Sequence, residues 1–215
     1  MSSQAATSPK AATASSAKPV AAAGASVPTL GVPFSPQAPF ANWDEIHEET
    51  CEEMSLIMVN RYLTGQDLTA QQAEDELQGL VRWMSGQGYT YDVTVGELAD
   101  VAKKKYGLNA RMIDDVTIEK IVAELAAGNP VIVPAAGRDL GNPYFSGEGP
   151  WYHMLVITGY KKGAFSDSFV TNDPGTKRGA GYEYNTQTLL SAIHDWTGVK
   201  EEIRTGAKRV LVVEK

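Results

Sequence analysis

The strongest constraint on the fold is a change of texture at Gly128-Asn129-Pro130. Before it, apolar residues recur at helical spacing behind residues that start helices. After it, short β-prone runs alternate with turns. Thr50 to about Leu63 carries Met54, Ile57, Met58 and Tyr62 on one helical stripe. Thr69 with Gln72 opens a second helix, which runs to about Trp83 and breaks at Gly86-Gln87-Gly88. Thr94 with Glu97 forms a capping box for a third helix ending at Tyr106, with Gly107 as its C-cap. A short strand over Asn109–Ile113 and a fourth helix over Thr117–Ala127, ended by Gly128, complete this half. Beyond Pro130 the predicted strands are Val131–Pro134, Met154–Tyr160, Ser168–Thr171 and Arg209–Val213. A turn at Lys161-Lys162-Gly163 joins two of them, and a helix from Thr186 to about Trp196 interrupts the series. Helices first and strands later predict an α+β domain with a mainly antiparallel sheet.

Residues 1–30 are mostly Ala, Ser, Thr and Pro, with Lys10 and Lys18 their only charges. Such a segment cannot bury a core and reads as a disordered tail, leaving 31–215 as the folded domain. It lacks the continuous apolar stretch of a signal peptide, and tails of this kind tether a domain to something else. A net charge of -7 with no basic stripe argues against nucleic acid as a partner. No apolar run is long enough to span a bilayer. One cysteine excludes a disulfide scaffold and a cysteine-rich zinc site, and His47, His153 and His194 leave few ways to build a metal site.

That cysteine, Cys51, lies in Thr50-Cys51-Glu52-Glu53. Thr50 and Glu53 have the spacing of a capping box, which puts Cys51 on the first turn of a helix, where the dipole favours a thiolate. A nucleophilic thiol needs a base and a group to orient it. His153 begins one predicted strand and Asp173 ends the next. If those strands form a hairpin, the two side chains meet at one end; Asn172 could orient the imidazole through its amide instead, though alternation would point it to the opposite face. Taken singly, each signal has a bland reading: a helical cysteine is more often core, and Asp-Pro is usually a turn. Their order on helix, strand and strand is much rarer. The Gly- and Pro-rich loop from Ala135 to Pro150 leads directly into His153, and long irregular loops are often functional. Against this stand Glu48, Glu49, Glu52 and Glu53, which support the helix but oppose a thiolate. A metal cluster of His47, Glu48, Glu49 and Cys51 matches no zinc spacing and reads better as a solvated cap. His194 reads as a surface helix residue.

With these residues in place, the chain resembles the papain-like cysteine peptidases, and among them the bacteriocin-processing, double-glycine leader peptidase-like domains. The resemblance spans roughly Val32 to Trp196. It rests on Val32-Pro33-Phe34-Ser35-Pro36-Gln37, Thr50-Cys51-Glu52-Glu53-Met54-Ser55 and Gly128-Asn129-Pro130-Val131-Ile132-Val133, then on His153-Met154-Leu155-Val156-Ile157-Thr158-Gly159-Tyr160 and Asn172-Asp173-Pro174. It implies a papain-like fold with Cys51 on the helical half and His153 and Asp173 on the sheet. It implies Cys51 as nucleophile, His153 as general base and acid, Asp173 as orienting acid and Gln37 as an oxyanion-hole donor, acting on a peptide or protein substrate. No cofactor is implied. Many relatives carry Cys-Gly where this chain has Cys51-Glu52, which leaves two alternatives open: a peptide-binding module that has lost catalysis, and an amidase or acyltransferase with the same triad.

Overall fold

The computed structural model describes residues 25–214 of the chain. Six strands form one antiparallel sheet: β1 (Asn109–Ile113), β2 (Val131–Ala136), β3 (Tyr152–Lys161), β4 (Ser168–Asn172), β5 (Ala180–Asn185) and β6 (Val210–Glu214), in the spatial order β1-β6-β2-β3-β4-β5. Five α-helices cover it: α1 (Cys51–Thr64), α2 (Ala70–Gly86), α3 (Val95–Tyr106), α4 (Ile118–Ala126) and α5 (Thr186–Ala192).

Strand alternation sorts the core into two layers. Ile132, Met154, Val156, Leu211 and Val213 pack with α1, α2 and α3. Val131, Val133, Leu155, Ile157, Val210 and Val212 pack with α4 and α5 on the opposite face. A sheet buried on both faces explains why β2, β3 and β6 read as continuous apolar runs rather than as alternating ones. At about 25 cal/mol per Å2 of apolar surface removed from water, these two layers dominate the stability of the domain.

Helix α1 is the centre of the first layer. Cys51 through Asn60 are all buried, including Glu52, Glu53 and Ser55. The capping boxes at Thr69 with Gln72 and at Thr94 with Glu97 form as predicted, and Gly107 closes α3 at φ +68°. The box at Thr50 does not form. A 3-10 turn over His47–Glu49 runs straight into α1 and holds Thr50 at φ -122°, ψ 29°, away from the extended backbone of a capping residue. The Thr50 hydroxyl instead donates to the His47 carbonyl (3.3 Å). Glu53 turns inward, and its Oε2 has no hydrogen-bond partner.

Three further differences bear on the site. β5 is a strand the sequence pattern does not announce. α5 stops at Ala192, and Ile193 bridges to Ala135 of β2, so His194 lies in a connecting segment with its Nδ1 donating to the Gly206 carbonyl (2.9 Å). Residues 25–30, which composition assigns to the tail, lie along β3: Val27 pairs with Tyr160, and the Leu30 N–H donates to the Thr158 carbonyl (2.7 Å). Residues 1–24 of that tail fall outside the described residues.

Candidate functional site

β3 and β4 form the predicted hairpin, with Val156 opposite Asn172. Asp173 follows directly and takes the Nε2–H of His153 on Oδ1 at 2.7 Å. Asn172 points elsewhere, as alternation requires: its amide donates to the Val32 carbonyl (2.9 Å) and its Oδ1 accepts from the Gly181 N–H.

The Asp173 carboxylate is fully buried and takes four hydrogen bonds. Oδ1 accepts from His153 and from the Gly175 N–H (2.9 Å). Oδ2 accepts from the Tyr184 hydroxyl (2.5 Å) and the Asn142 amide (3.1 Å). Asn142 also donates to the Tyr184 oxygen (2.7 Å), closing a small network. Burial alone would raise the pKa of this carboxyl. The facing His153 and the donors from His153, Tyr184 and Gly175 outweigh it and hold the carboxyl below its ordinary value. Neither Asn142 nor Tyr184 stands out in the sequence. One lies on the irregular loop and the other on the unannounced β5.

The imidazole is fixed by its surroundings as well as by Asp173. Phe145, from the same loop as Asn142, meets it edge to face at 5.2 Å. A Cβ at Gly175 would come within 2.8 Å of the His153 Cε1, so only glycine allows the 174–176 turn to pass so close. With Nε2 engaged by Asp173, Nδ1 is the ring nitrogen with no hydrogen bond to another of the described residues.

Cys51 reaches the same place from the other side of the fold. β4 ends opposite Val156, so the Met154 N–H has no strand beyond it to bond. It donates instead to the Cys51 sulfur at 3.2 Å. The sulfur is thereby anchored to the residue next to His153. The thiol itself donates to Glu52 Oε2 at 3.0 Å. Burial above all pushes the thiol well above its ordinary pKa, an ionised Glu52 would add to that rise, and the Met154 N–H acts against it.

A cleft of about 530 Å3 opens over Cys51 and His153, with Gln37, Trp43, Tyr144 and Trp151 among its walls. Arg138 stacks on Trp151 at 3.6 Å and holds the loop's two ends together. Gln37 is buried at the edge of this cleft, but its Nε2 donates to the carbonyls of His47 (2.7 Å) and Glu48 (3.1 Å). Its second amide atom, Oε1, has no partner. His47 is also engaged away from the cleft, with Nδ1 on Asp44 (2.7 Å) and Nε2 on Glu74 (3.0 Å). No helix among the described residues is long and apolar enough to cross a membrane.

A crystal structure from Bacillus anthracis, assigned to the C39-like peptidases, superposes with a TM-score of 0.57 at 17% identity, covering 88% of this chain and 98% of that one. The likeness establishes the papain-like α+β fold. No curated protein matches the chain. The family model described as Peptidase_C39 like family matches residues 29–202, which takes in Gln37, Cys51, His153, Asp173 and the cleft loop; the chain belongs to the Peptidase_C39 like family.

Proposed function

We propose that this chain is a papain-like cysteine peptidase in which Cys51 is the nucleophile, His153 the general base and acid, and Asp173 the group that orients His153. The observation that carries this reading is the junction at His153-Met154. The His153 ring is hydrogen-bonded to Asp173 at 2.7 Å, and the very next backbone N–H holds the Cys51 sulfur at 3.2 Å. The thiol proton passes to His153 Nδ1, the thiolate attacks the peptide carbonyl, and His153 returns the proton to the leaving amine. Water then releases the acyl group. The Cys51 N–H is a first-turn amide without an intrahelical partner, so it is a natural donor to the oxyanion. Gln37 joins it by releasing its longer bond, the one to the Glu48 carbonyl.

The test is the rate of Cys51 alkylation by iodoacetamide together with turnover of a peptide library. Wild type is expected to react far faster than a model thiol near neutral pH, and His153→Ala to remove that advantage. Labelling no faster than a free thiol refutes the catalytic reading. One observation favours a second reading, a peptide-binding module: the thiol is buried and bonded to a carboxyl rather than to His153. Peptide binding that survives Cys51→Ala, with no turnover by wild type, would select it.

A further inference from the structure

Glu52 is the side chain that touches the sulfur of the proposed nucleophile. It is fully buried, with Oε2 at 3.0 Å from the Cys51 sulfur and Oε1 accepting the Val93 N–H at 3.3 Å. No cation pairs with it among the described residues. Among the described residues, the titratable groups whose charge acts most on it are acids, Cys51 and Glu53 on α1 and Asp92 from the segment before α3, and it acts in turn on Tyr152 of β3, while His153 faces the sulfur in the proposed mechanism. A buried carboxylate with no counter-charge is costly enough that the group takes up a proton instead. Burial first, then Glu53, drives Glu52 well above the usual carboxyl range.

We infer that Glu52 is a further catalytic residue, a neutral carboxylic acid whose Oε2 hydroxyl donates a hydrogen bond to the Cys51 thiolate. The inference rests on the reading of Cys51 as nucleophile. In the resting thiol, S–H donates to Oε2. On activation the S–H bond breaks, its proton goes to His153 Nδ1, and the electron pair stays on sulfur. Glu52 keeps its own proton and turns the O–H toward the new anion, which then has two protein donors, Glu52 and the Met154 N–H. When sulfur attacks the carbonyl carbon, that pair becomes the S–C bond and negative charge moves to the carbonyl oxygen. A neutral acid at this position removes the objection that a glutamate beside the thiol must repel its anion.

The experiment compares wild type, Glu52→Met and Glu52→Gln by iodoacetamide alkylation across pH and by peptide turnover. Met fills the space without a donor; the Gln amide can donate to sulfur while its oxygen still accepts from Val93. Glu52→Met is expected to slow alkylation at neutral pH by about tenfold to a hundredfold, the worth of one hydrogen bond to a charged group, and Glu52→Gln to recover most of that loss. Infrared difference spectra of wild type against Glu52→Gln are expected to show a protonated-carboxyl stretch at neutral pH, a readout that needs no activity. Faster alkylation in Glu52→Gln than in wild type, or an ionised-carboxylate band in the difference spectrum, overturns the inference while leaving Cys51 as nucleophile. A wild type that neither turns over peptide nor outpaces a model thiol overturns the peptidase reading and this inference with it.

Discussion

Tyr184→Phe isolates the brace behind His153. The substitution removes the hydroxyl that donates to Asp173 Oδ2 at 2.5 Å and accepts from the Asn142 amide at 2.7 Å, on a side chain that is otherwise buried against the sheet. The ring stays, so packing changes little. Asn142 remains on Oδ2, and His153 and Gly175 remain on Oδ1. A hydrogen bond to a buried charged group contributes roughly 1.5–3 kcal/mol, and that is the destabilisation expected at neutral pH by urea denaturation. The pH dependence follows from the direction of the Asp173 shift. Its folded pKa is depressed, so the stabilisation it carries is present above the unfolded carboxyl pKa and is lost as pH falls through the folded value. The gap between wild type and Tyr184→Phe should therefore be widest at neutral pH and narrow in acid to the share that comes from the lost Asn142–Tyr184 bond. Turnover should fall as well, because a less firmly ionised Asp173 holds the imidazole less firmly. A stability deficit that is the same at every pH, or no deficit at neutral pH, would refute the view that the hydroxyl acts on the Asp173 carboxylate.

Three shorter predictions address other parts of the site. Glu53 is held protonated, its pKa pushed to about 8 mainly by burial, so wild-type stability declines between the ordinary carboxyl range and that value as the unfolded chain ionises. Glu53→Gln should gain on wild type across that window, by as much as ~4 kcal/mol at 1.36 kcal/mol per pH unit, and denaturation at several pH values reads it. Gly175→Ala sets a Cβ within 2.8 Å of the His153 ring; alkylation and turnover should drop about tenfold or more while the melting temperature moves by only a few degrees. Gln37→Ala should lower kcat by roughly a hundredfold or more if the amide reaches the oxyanion, with KM little changed; a change in KM alone would reduce Gln37 to support of the His47–Glu49 turn.

What the sequence discloses and what it hides divide along the range of the interactions involved. The caps at Thr69 and Thr94 are legible because donor and acceptor lie three residues apart and nothing else competes. The same spacing at Thr50 misleads, because a preceding turn has already fixed its backbone and burial draws Glu53 inward. β5 is hidden because Ala180-Gly181-Tyr182-Glu183-Tyr184-Asn185 is an edge strand with one buried side chain and a glycine, so no apolar alternation betrays it. The pairing of His153 with Asp173 and the approach of Cys51 to the next residue are legible because so few residue types can carry thiol chemistry that a single cysteine forces the search. Asn142 and Tyr184 are not, since an amide on a loop and a phenol on an edge strand acquire meaning only when the fold brings them within 3.1 Å and 2.5 Å of one carboxylate. The same reasoning recasts the glutamates beside Cys51. On a solvated helix cap they would be charged and would oppose the nucleophile. Buried beneath the cleft with no cation paired to them among the described residues, Glu52 and Glu53 have raised pKa values instead, so what reads in the sequence as repulsion is, on the inference drawn above, a source of a hydrogen-bond donor.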